Sequence, residues 1–395
     1  MQQRILILNG SHTEVPLIES AKHHGFYTIV TGNDKDAPGN KIADKYIQAD
    51  YSDYKRILTI SEKEGIQGVV SCSNDFGAIT ASYVAEKMGL KGHDSFLLTK
   101  RLHEKDSFKT IAKDVDLLTV KTIGFSDCEK AKEYVRNASY PIIIKPTDLS
   151  GGKGIAKASN YNVAERCIES AFSKSRIKHI VIEPYIEADQ HVLFGFIKDR
   201  KILFSMSCDD HYLYNPYLAS HNSSPARNEE PAKSIIIKEI NRLSERLGLC
   251  DGFIEVQYMT ERKTDAVFIV ELMRRMPGNI AFSALDSASS FSWTDWYLLS
   301  QIGDNCDAFY SGDLCSGCSS MISIMGSKNG MVNNIFISEK LRSFIAYSVF
   351  NEFKGHMIED YLTERMGYLL CKFPDEITMH SIIDNINDHV QVLYN

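Results

Sequence analysis

The chain has 395 residues, of which 44% are hydrophobic and 24% charged; this balance excludes a disordered chain and favours two or three folded domains. Its net charge of −7, with no block of basic residues, argues against nucleic acid as the main partner. No apolar run approaches a membrane span, and the opening MQQRILILNGSH indicates a first strand rather than a signal peptide, so we expect a cytoplasmic protein without a membrane partner.

Strands and helices alternate through the first part of the chain. Apolar runs predict strands at 4–9, 26–31 and 67–71, and helical periodicity predicts helices at 55–63 and 78–88. This alternation implies a parallel sheet flanked by helices. The first turn, NGSHTEV, lacks the GxGxxG fingerprint, which disfavours an ordinary dinucleotide-dependent oxidoreductase.

A second pattern begins near residue 96. The predicted elements are a helix at 97–112, a strand–loop–strand unit at 141–158, a helix at 163–172, a strand at 179–183, a hairpin at 191–206, a helix at 234–247 and strands at 252–259 and 266–273. A polar, turn-rich stretch at 210–232 is long enough to suggest a functional loop. The residues after 319 predict a small α+β unit.

Two acids on neighbouring strands give the sharpest chemical signal. Alternation in GFIEVQYM and AVFIVELM places Glu255 and Gln257 on one strand face and Glu271 on a face of the next strand. A hairpin symmetric about Lys263 would set Glu255 directly opposite Glu271, with Cβ atoms about 5 Å apart. A divalent cation would relieve their repulsion, and hard oxygen ligands suit magnesium. The alternative is a pair of solvent-facing acids on a half-exposed sheet.

A lysine and a glycine-rich loop form the second signal, within YPIIIKPTDLSGGKGI. Lys145 ends a buried strand and therefore needs an anionic partner. The loop of Gly151, Gly152, Lys153 and Gly154 lets backbone N–H groups approach a polyphosphate closely. It does not match the GxxxxGK[ST] phosphate loop, and a flexible hairpin turn is the alternative reading.

Two further segments carry candidate ligand contacts. In VIEPYIEADQHV a strand ends at Glu183 and continues as an extended segment with Tyr185 and Ile186. The backbone groups of this segment could hydrogen-bond to the edge of a purine base, while the Glu183 carboxylate accepts a hydrogen bond from the exocyclic amine of that base. In ELMRRMPGN, strand parity places Arg275 on the same face as Glu271 and Met273, where it could stabilise an acyl phosphate through charge-assisted hydrogen bonds. The alternatives are a surface acid at Glu183 and a salt bridge at Arg275.

These four elements, in this order, resemble the ATP-grasp superfamily of the carboxylate–amine ligase type. The resemblance spans nearly the whole chain. The tail resembles the small C-terminal domain of carboxylate–amine ligases, including bacterial L-amino acid ligases, and the core is also similar to biotin carboxylase and the carbamoyl phosphate synthetase large subunit. The resemblance implies an α/β and α+β fold with a pre-ATP-grasp Rossmann-like domain at 1–95, an ATP-grasp domain at 96–310 and a small C-terminal α+β domain at 311–395.

The resemblance also assigns roles to single residues. It implies that Lys105, in EKDSFK, is the family's first ATP-binding lysine and that Lys145 is the second, which contacts the α- and β-phosphates. It also implies that the glycine-rich loop is a mobile flap. It implies that Glu183, Tyr185 and Ile186 hold adenine. The implied magnesium ligands are Glu255 and Glu271, and Arg275 is the arginine of the family's E-x-N-x-R strand end.

The sequence departs from the family pattern at two places. Met273 stands where the family has an asparagine that binds magnesium, and a thioether is a poor magnesium ligand, so Asn279 is the candidate to help hold the metal. Gln190 stands at the usual ribose-contacting acid, which leaves Gln190 or His191 as the ribose contact.

The resemblance implies a ligase that uses ATP and Mg2+ to activate a carboxylate as an acyl phosphate for attack by an amine, the expected amine being an amino acid. His221, Arg227, Arg275 and Asn279 are candidate substrate contacts, although the first two could belong to an ordinary solvated loop. An ATP-grasp enzyme with a non-amine nucleophile and a non-catalytic nucleotide-binding regulator remain open, and a homodimer is expected by analogy.

Overall fold

The strands of the chain assemble into four sheets in the computed structural model, which describes residues 2–149, 152–227, 229–304, 317–350 and 353–395. Together these sheets confirm the predicted mixture of α/β and α+β structure. Residues 150–151 and 305–316 lie outside the described part, and they include Gly151 of the glycine-rich loop and the predicted boundary at 310.

The first sheet is parallel, as the alternation predicts. Its strands are β1 (Arg4–Leu8), β2 (Tyr27–Gly32), β3 (Lys45–Gln48) and β4 (Gly68–Val70), in the order β3-β2-β1-β4. Its helices are α1 (Val15–His23), α2 (Pro38–Ile42), α3 (Tyr54–Glu64) and α4 (Asp75–Met88). Strand β3 was not among the predicted strands, because KYIQ is short and only half-buried and so lacks a clear apolar run.

Two short helices replace the single helix predicted at 97–112. They are α5 (Phe96–His103) and α6 (Lys105–Asp114), and the chain is extended at Glu104 between them, with φ −93° and ψ 118°. The prediction was wrong at this point because both helices are amphipathic and no glycine or proline marks the break.

The second sheet is antiparallel and carries helices on one side. Its strands are β5 (Ile123–Phe125), β6 (Ile142–Pro146), β7 (Ala156–Ala158) and β8 (Ile180–Pro184), in the order β5-β8-β6-β7. Helices α7 (Cys128–Val135) and α8 (Tyr161–Lys174) supply Val135, Ile168 and Phe172 to a core shared with Ile142 and Ile144 of β6.

The central sheet has eight strands in the order β13-β12-β9-β10-β11-β14-β18-β16. The strands from the middle of the chain are β9 (Ala188–Lys198), β10 (Lys201–His211), β11 (His221–Ser223), β12 (Gly252–Glu261) and β13 (Val267–Met273). The tail supplies β14 (Cys318–Ile324), β16 (Ile345–Phe350) and β18 (Gly367–Phe373). Part of the tail therefore extends the same sheet that carries the two acids.

Strand alternation gives the central sheet two different faces. On one face, Leu193 and Ile254 pack against Ile240 of α9 (Ala232–Leu247). On the other face, Phe194 and Phe253 join the aromatic core formed with α10 (Ala281–Ala288) and α11 (Trp293–Gln301), which also reaches α1. We call this second face the acid face, because it continues to Glu255.

The rest of the tail forms a separate small sheet. Its strands are β15 (Gly330–Ile337), β17 (Met357–Ile358) and β19 (Val390–Tyr394), and its helices are α12 (Glu339–Arg342), α13 (Glu376–Ile383) and α14 (Ile386–His389). Its core includes Ile335, Leu341 and Ile382, packed on Ile322 of the central sheet. No helix in the described ranges is long and apolar enough to cross a membrane.

Candidate active site

Lys145 has the anionic partner that its position demands. It lies at the end of β6, diagonally across from Glu183 of β8, and its Nζ donates to Glu183 Oε2 at 2.5 Å. Thr122 Oγ1 donates to Glu183 Oε1 at 2.7 Å, and Lys109 Nζ lies 3.5 Å from the same oxygen. Burial opposes ionisation of Glu183, but the two lysines outweigh it and lower the pKa of its carboxyl to about 2.

Lys109 is a residue that the sequence analysis did not select. It lies one turn after Lys105 on α6, and burial lowers the pKa of its ammonium even though Glu183 and Glu271 act in the opposite direction. Lys109 is therefore placed between the lysine–Glu183 cluster and the acid pair. The i, i+4 spacing from Lys105 is the sequence signal that could have identified it.

The other predicted nucleotide contacts surround the glycine-rich loop. Lys105 Nζ donates to the Leu149 carbonyl at 2.6 Å, just before the loop, and Lys153 is exposed. Gly152 and Gly154 have φ of +72° and +76°, conformations that favour glycine. The ammonium of Lys157 lies 3.5 Å from the centre of the Tyr185 ring, and this cation–π contact holds the Tyr185 side chain in place. The next residue, Ile186, is half-buried.

Glu255 and Glu271 lie on one sheet face but not directly opposite each other. Glu255 pairs with Met273, and Gln257 pairs with Glu271, so the two acids are diagonal neighbours. The prediction of direct opposition was wrong for two reasons. The pairing of Thr260 with Val267 centres the turn just after Lys263, and β13 carries an irregularity between Glu271 and Ile269 that leaves one of its residues unpaired. That extra residue returns both acids to the same face.

The environment of Glu255 fits a cation. Its side chain is 9% exposed, and its Oε2 is buried without a hydrogen-bond partner in the described part of the chain. Burial raises the pKa of Glu255 to about 7 and Glu271 adds to the rise, while Arg275 opposes it. Mg2+ binds oxygen ligands and commonly takes one or two carboxylates together with substrate phosphates. Over the described ranges, no three His, Cys, Asp or Glu side chains form a ready-made metal site, so these two acids would need phosphate or water oxygens.

Arg275 points toward the acid face, as strand parity predicts. Its Nε donates to Asp75 Oδ1 at 2.9 Å, and its Nη1 lies 3.6 Å from Glu255 Oε2. The salt bridge considered as its alternative role is therefore present. His103 Nδ1 lies 3.0 Å from the same Asp75 oxygen, so α4 and α5 together position this arginine.

Strand alternation separates the two candidate ribose contacts. Gln190 pairs with Met259 and lies on the acid face, where its Oε1 accepts from Tyr212 Oη at 2.9 Å. His191 lies on the opposite face, where its Nδ1 is 2.7 Å from an oxygen of Asp209. The structure thus brings Gln190, but not His191, to the same side as Glu255.

The remaining predicted substrate residues have other contacts. Asn279 Oδ1 accepts from the Ala281 backbone N–H at 2.9 Å at the start of α10. His221 is buried on the face opposite the acids, where it stacks on His211 with ring centres 4.9 Å apart. Arg227 Nη2 donates to both carboxylate oxygens of Asp384 at 2.7 Å each. None of the three contacts Glu255 or Glu271 within the residues that the structure describes.

Known proteins are similar to this chain in sequence and in fold. Residues 103–215 match the family model described as phosphoribosylglycinamide synthetase, ATP-grasp (A) domain. The phosphoribosylamine–glycine ligase of Lactococcus lactis subsp. lactis is 33% identical over 107 residues, 27% of this chain and 26% of that protein. The same-named protein of Streptococcus pyogenes serotype M3 is 25% identical over 169 residues, 40% of this chain and 39% of that protein. The aligned segments thus span about a quarter to two-fifths of these relatives.

Solved structures share the whole fold. Phosphoribosylglycinamide synthetase from Anaerococcus prevotii superposes with a TM-score of 0.78 at 19% identity, covering 100% of both chains. L-amino acid ligase from Bacillus licheniformis gives a TM-score of 0.84 at 14% identity, covering 100% of this chain and 99% of that one. Residues 103–215 thus match an ATP-grasp domain, and the whole chain shares the fold of these two solved structures.

Proposed function

We propose that this protein is an ADP-forming ligase that uses ATP and Mg2+ to convert a carboxylate into an acyl phosphate, which an amine then attacks. Buried Glu255 is the observation that carries the proposal. Its Oε2 has no hydrogen-bond partner in the described residues, and it lies on one face with Glu271, whose charge acts on Lys109 of the lysine cluster. Two acids that would bind a cation thus lie beside a cluster of lysines that would bind phosphate groups.

In the proposed phosphoryl transfer, the lysines, the two acids and Arg275 have different roles. Lys145 and Lys109 neutralise the phosphate oxygens, while the glycine-rich loop covers them with backbone N–H groups. Glu255 and Glu271 would hold Mg2+, which supplies charge neutralisation between phosphates when bound. Arg275 is anchored by Asp75 and directs its remaining donors toward the acid face, where charge develops on the transferred phosphoryl group.

The proposed reaction has two balanced steps. A carboxylate oxygen attacks the γ-phosphorus of ATP, and ADP leaves. The amine then attacks the acyl carbon, phosphate leaves, and the nitrogen loses a proton to give the amide. Excluding water matters because an acyl phosphate hydrolyses easily, which assigns a covering role to the glycine-rich loop. The cytoplasmic location and the homodimer remain predictions that accompany this proposal.

ATP consumption tests the proposal directly. The full chain is incubated with MgATP and pools of amino acids and small carboxylates, and nucleotide products are separated. We expect ADP and phosphate that depend on substrate and are lost in Glu271→Ala, but not in the exposed control Glu245→Ala. AMP and pyrophosphate would contradict the acyl phosphate. Turnover driven by bicarbonate without any amine would identify bicarbonate as the activated carboxylate and would contradict amide formation, and absence of nucleotide binding would overturn the proposal.

A further inference from the structure

We propose that Asp210 and Arg365 form the subsite for the amino and carboxylate groups of a free α-amino acid. The inference rests on the proposed function, because this amino acid would be the attacking amine. Neither residue was selected from the sequence. Asp210 comes from β10 and Arg365 precedes β18, so the central sheet brings together residues that are far apart in the chain.

Strand register places Asp210 on the acid face. Phe194 of β9 pairs with Glu255 on one side and with Met206 on the other, so these three side chains share a face. Asp210 has the same parity as Met206 along β10, and its register is regular from there to its pairing with Asn222 of β11. Asp210 therefore opens toward the same cleft as Glu255, two strands away.

Asp210 is an acid without a partner. Its carboxylate makes no hydrogen bond and no ion pair to any residue in the described ranges, and the residue is half-buried. Burial, together with the charges of Glu255 and Asp209, raises the pKa of Asp210 to about 7, while Arg365 opposes the rise. A half-buried acid whose oxygens make no hydrogen bond is stabilised by a ligand that donates hydrogen bonds and carries positive charge.

Arg365 is the complementary group. Its Nη2 donates to the Ala219 carbonyl at 2.8 Å, which anchors the guanidinium beside the turn that joins β10 to β11. Its Nε is buried without a hydrogen-bond partner among the described residues, so the guanidinium retains an N–H donor that makes no hydrogen bond. A guanidinium fork matches a carboxylate geometrically.

Because the charges of Asp210 and Arg365 are not paired with each other, the two side chains favour a zwitterion as their ligand. Asp210 and Arg365 form no direct ion pair within 4.0 Å across the described residues, so each charge remains open to a ligand. A metal ion alone fits poorly, because the guanidinium would repel it. An α-amino acid presents an ammonium and a carboxylate on adjacent atoms. With its ammonium at Asp210, the nitrogen lies on the face where the proposed acyl phosphate forms.

Calorimetric titration of the full chain tests the subsite. The protein, with and without saturating MgADP, is titrated with each of the twenty common L-amino acids. The strongest binder is then compared with its amide, which lacks the carboxylate, and with its des-amino analogue. We expect Asp210→Asn and Arg365→Gln each to weaken amino acid binding by about tenfold or more, since each removes a charged hydrogen bond.

The analogues assign each group to its residue. Asp210→Asn should have no further effect on the des-amino analogue, and Arg365→Gln none on the amide. The exposed ion pair of Asp189 and Arg262 on the same sheet supplies charge-matched controls, Asp189→Asn and Arg262→Gln. MgADP affinity and the thermal midpoint should stay near those of the parent protein in all four variants, which shows that they fold.

The outcomes separate this inference from the proposed function. If MgADP binds but no amino acid does, the subsite is overturned and the nucleotide site stands. Amino acid binding that both variants leave unchanged also overturns it. If amino acids bind through Asp210 and Arg365 but MgADP never binds, the ligase proposal fails while the subsite holds.

Discussion

Lys109 lies between two acids with only 16% of its side chain exposed, so its charge is positioned for a ligand rather than for solvent. We expect Lys109→Met to weaken MgADP binding about tenfold, the usual effect of losing one charge-assisted hydrogen bond. Titration calorimetry measures the change. The matched control is Lys113→Met, on the exposed side of the same helix. Equal affinities for both variants would remove Lys109 from the nucleotide site.

His221 supports a prediction about stability rather than ligand binding. Burial lowers the pKa of its imidazole from 6.5 to about 3, so the folded chain binds fewer protons than the unfolded chain between these values. Its contribution to stability is complete above pH 6.5 and is lost as the pH falls toward 3. His221→Gln should therefore flatten the fall of the thermal midpoint with acid, while His12→Gln, at an exposed position, should leave the slope unchanged.

At the scale of single residues, the sequence predicted what depends on short segments. Lys145 ends a buried strand, so its need for an acid was predictable, but the identity of that acid as Glu183 depends on the pairing of β6 with β8. The shared face of Glu255 and Glu271 was confirmed. Their direct opposition was wrong because neither the centre of the turn nor the irregularity in β13 has a signature in the apolar pattern.

At the scale of elements, the glycine-rich loop connects β6 to β7 and depends on unusual backbone angles. A Cβ atom on Gly152 would lie 2.6 Å from the Tyr217 carbonyl oxygen, and its φ of +72° is strained for other residues. Gly152→Ala should therefore displace the loop at a cost of about 1 kcal/mol and reduce MgATP turnover about fivefold or more.

The control for the loop is Gly89→Ala. Gly89 ends α4 with φ of +68°, but a Cβ there meets nothing within 4 Å. This variant should lower stability by a similar amount while leaving turnover unchanged. Similar losses of turnover in both variants would mean that general destabilisation, rather than displacement of the loop, explains the effect.

At the scale of the whole molecule, the strand order determines on which face of the central sheet each candidate site residue lies, and the sequence alone does not show this. Gln190 and His191 are adjacent, yet alternation in β9 sends them to opposite faces of the central sheet. His221 belongs to the opposite face, and Arg227 is bound to Asp384 of the tail, because β11 and α13 meet there. Asp210 and Arg365 are brought together by four neighbouring strands of the central sheet, β10, β11, β14 and β18. Such placements depend on long-range strand order, which no local pattern reports.

The buried ion pair of Arg274 and Asp94 links the first part of the chain to the central sheet. Their side chains are 6% and 3% exposed, Arg274 Nε donates to Asp94 Oδ2 at 2.9 Å, and Asp94 also accepts from the Cys250 backbone N–H. Removing one partner of a buried pair leaves an uncompensated charge, so Asp94→Asn should lower the free energy of unfolding by about 3 kcal/mol.

Urea denaturation measures this loss, and an exposed pair provides its control. Asp189 and Arg262 lie 2.7 Å apart with 59% and 56% of their side chains exposed, and pairs of this kind contribute about 0–1 kcal/mol. Asp189→Asn should therefore shift the urea midpoint far less than Asp94→Asn. Equal shifts would mean that Arg274 is held by its carbonyl partners rather than by Asp94, since its Nη1 and Nη2 also donate to the carbonyls of Phe253 and Cys250. In that case the junction between the first sheet and the central sheet would depend on main-chain contacts instead of the ion pair.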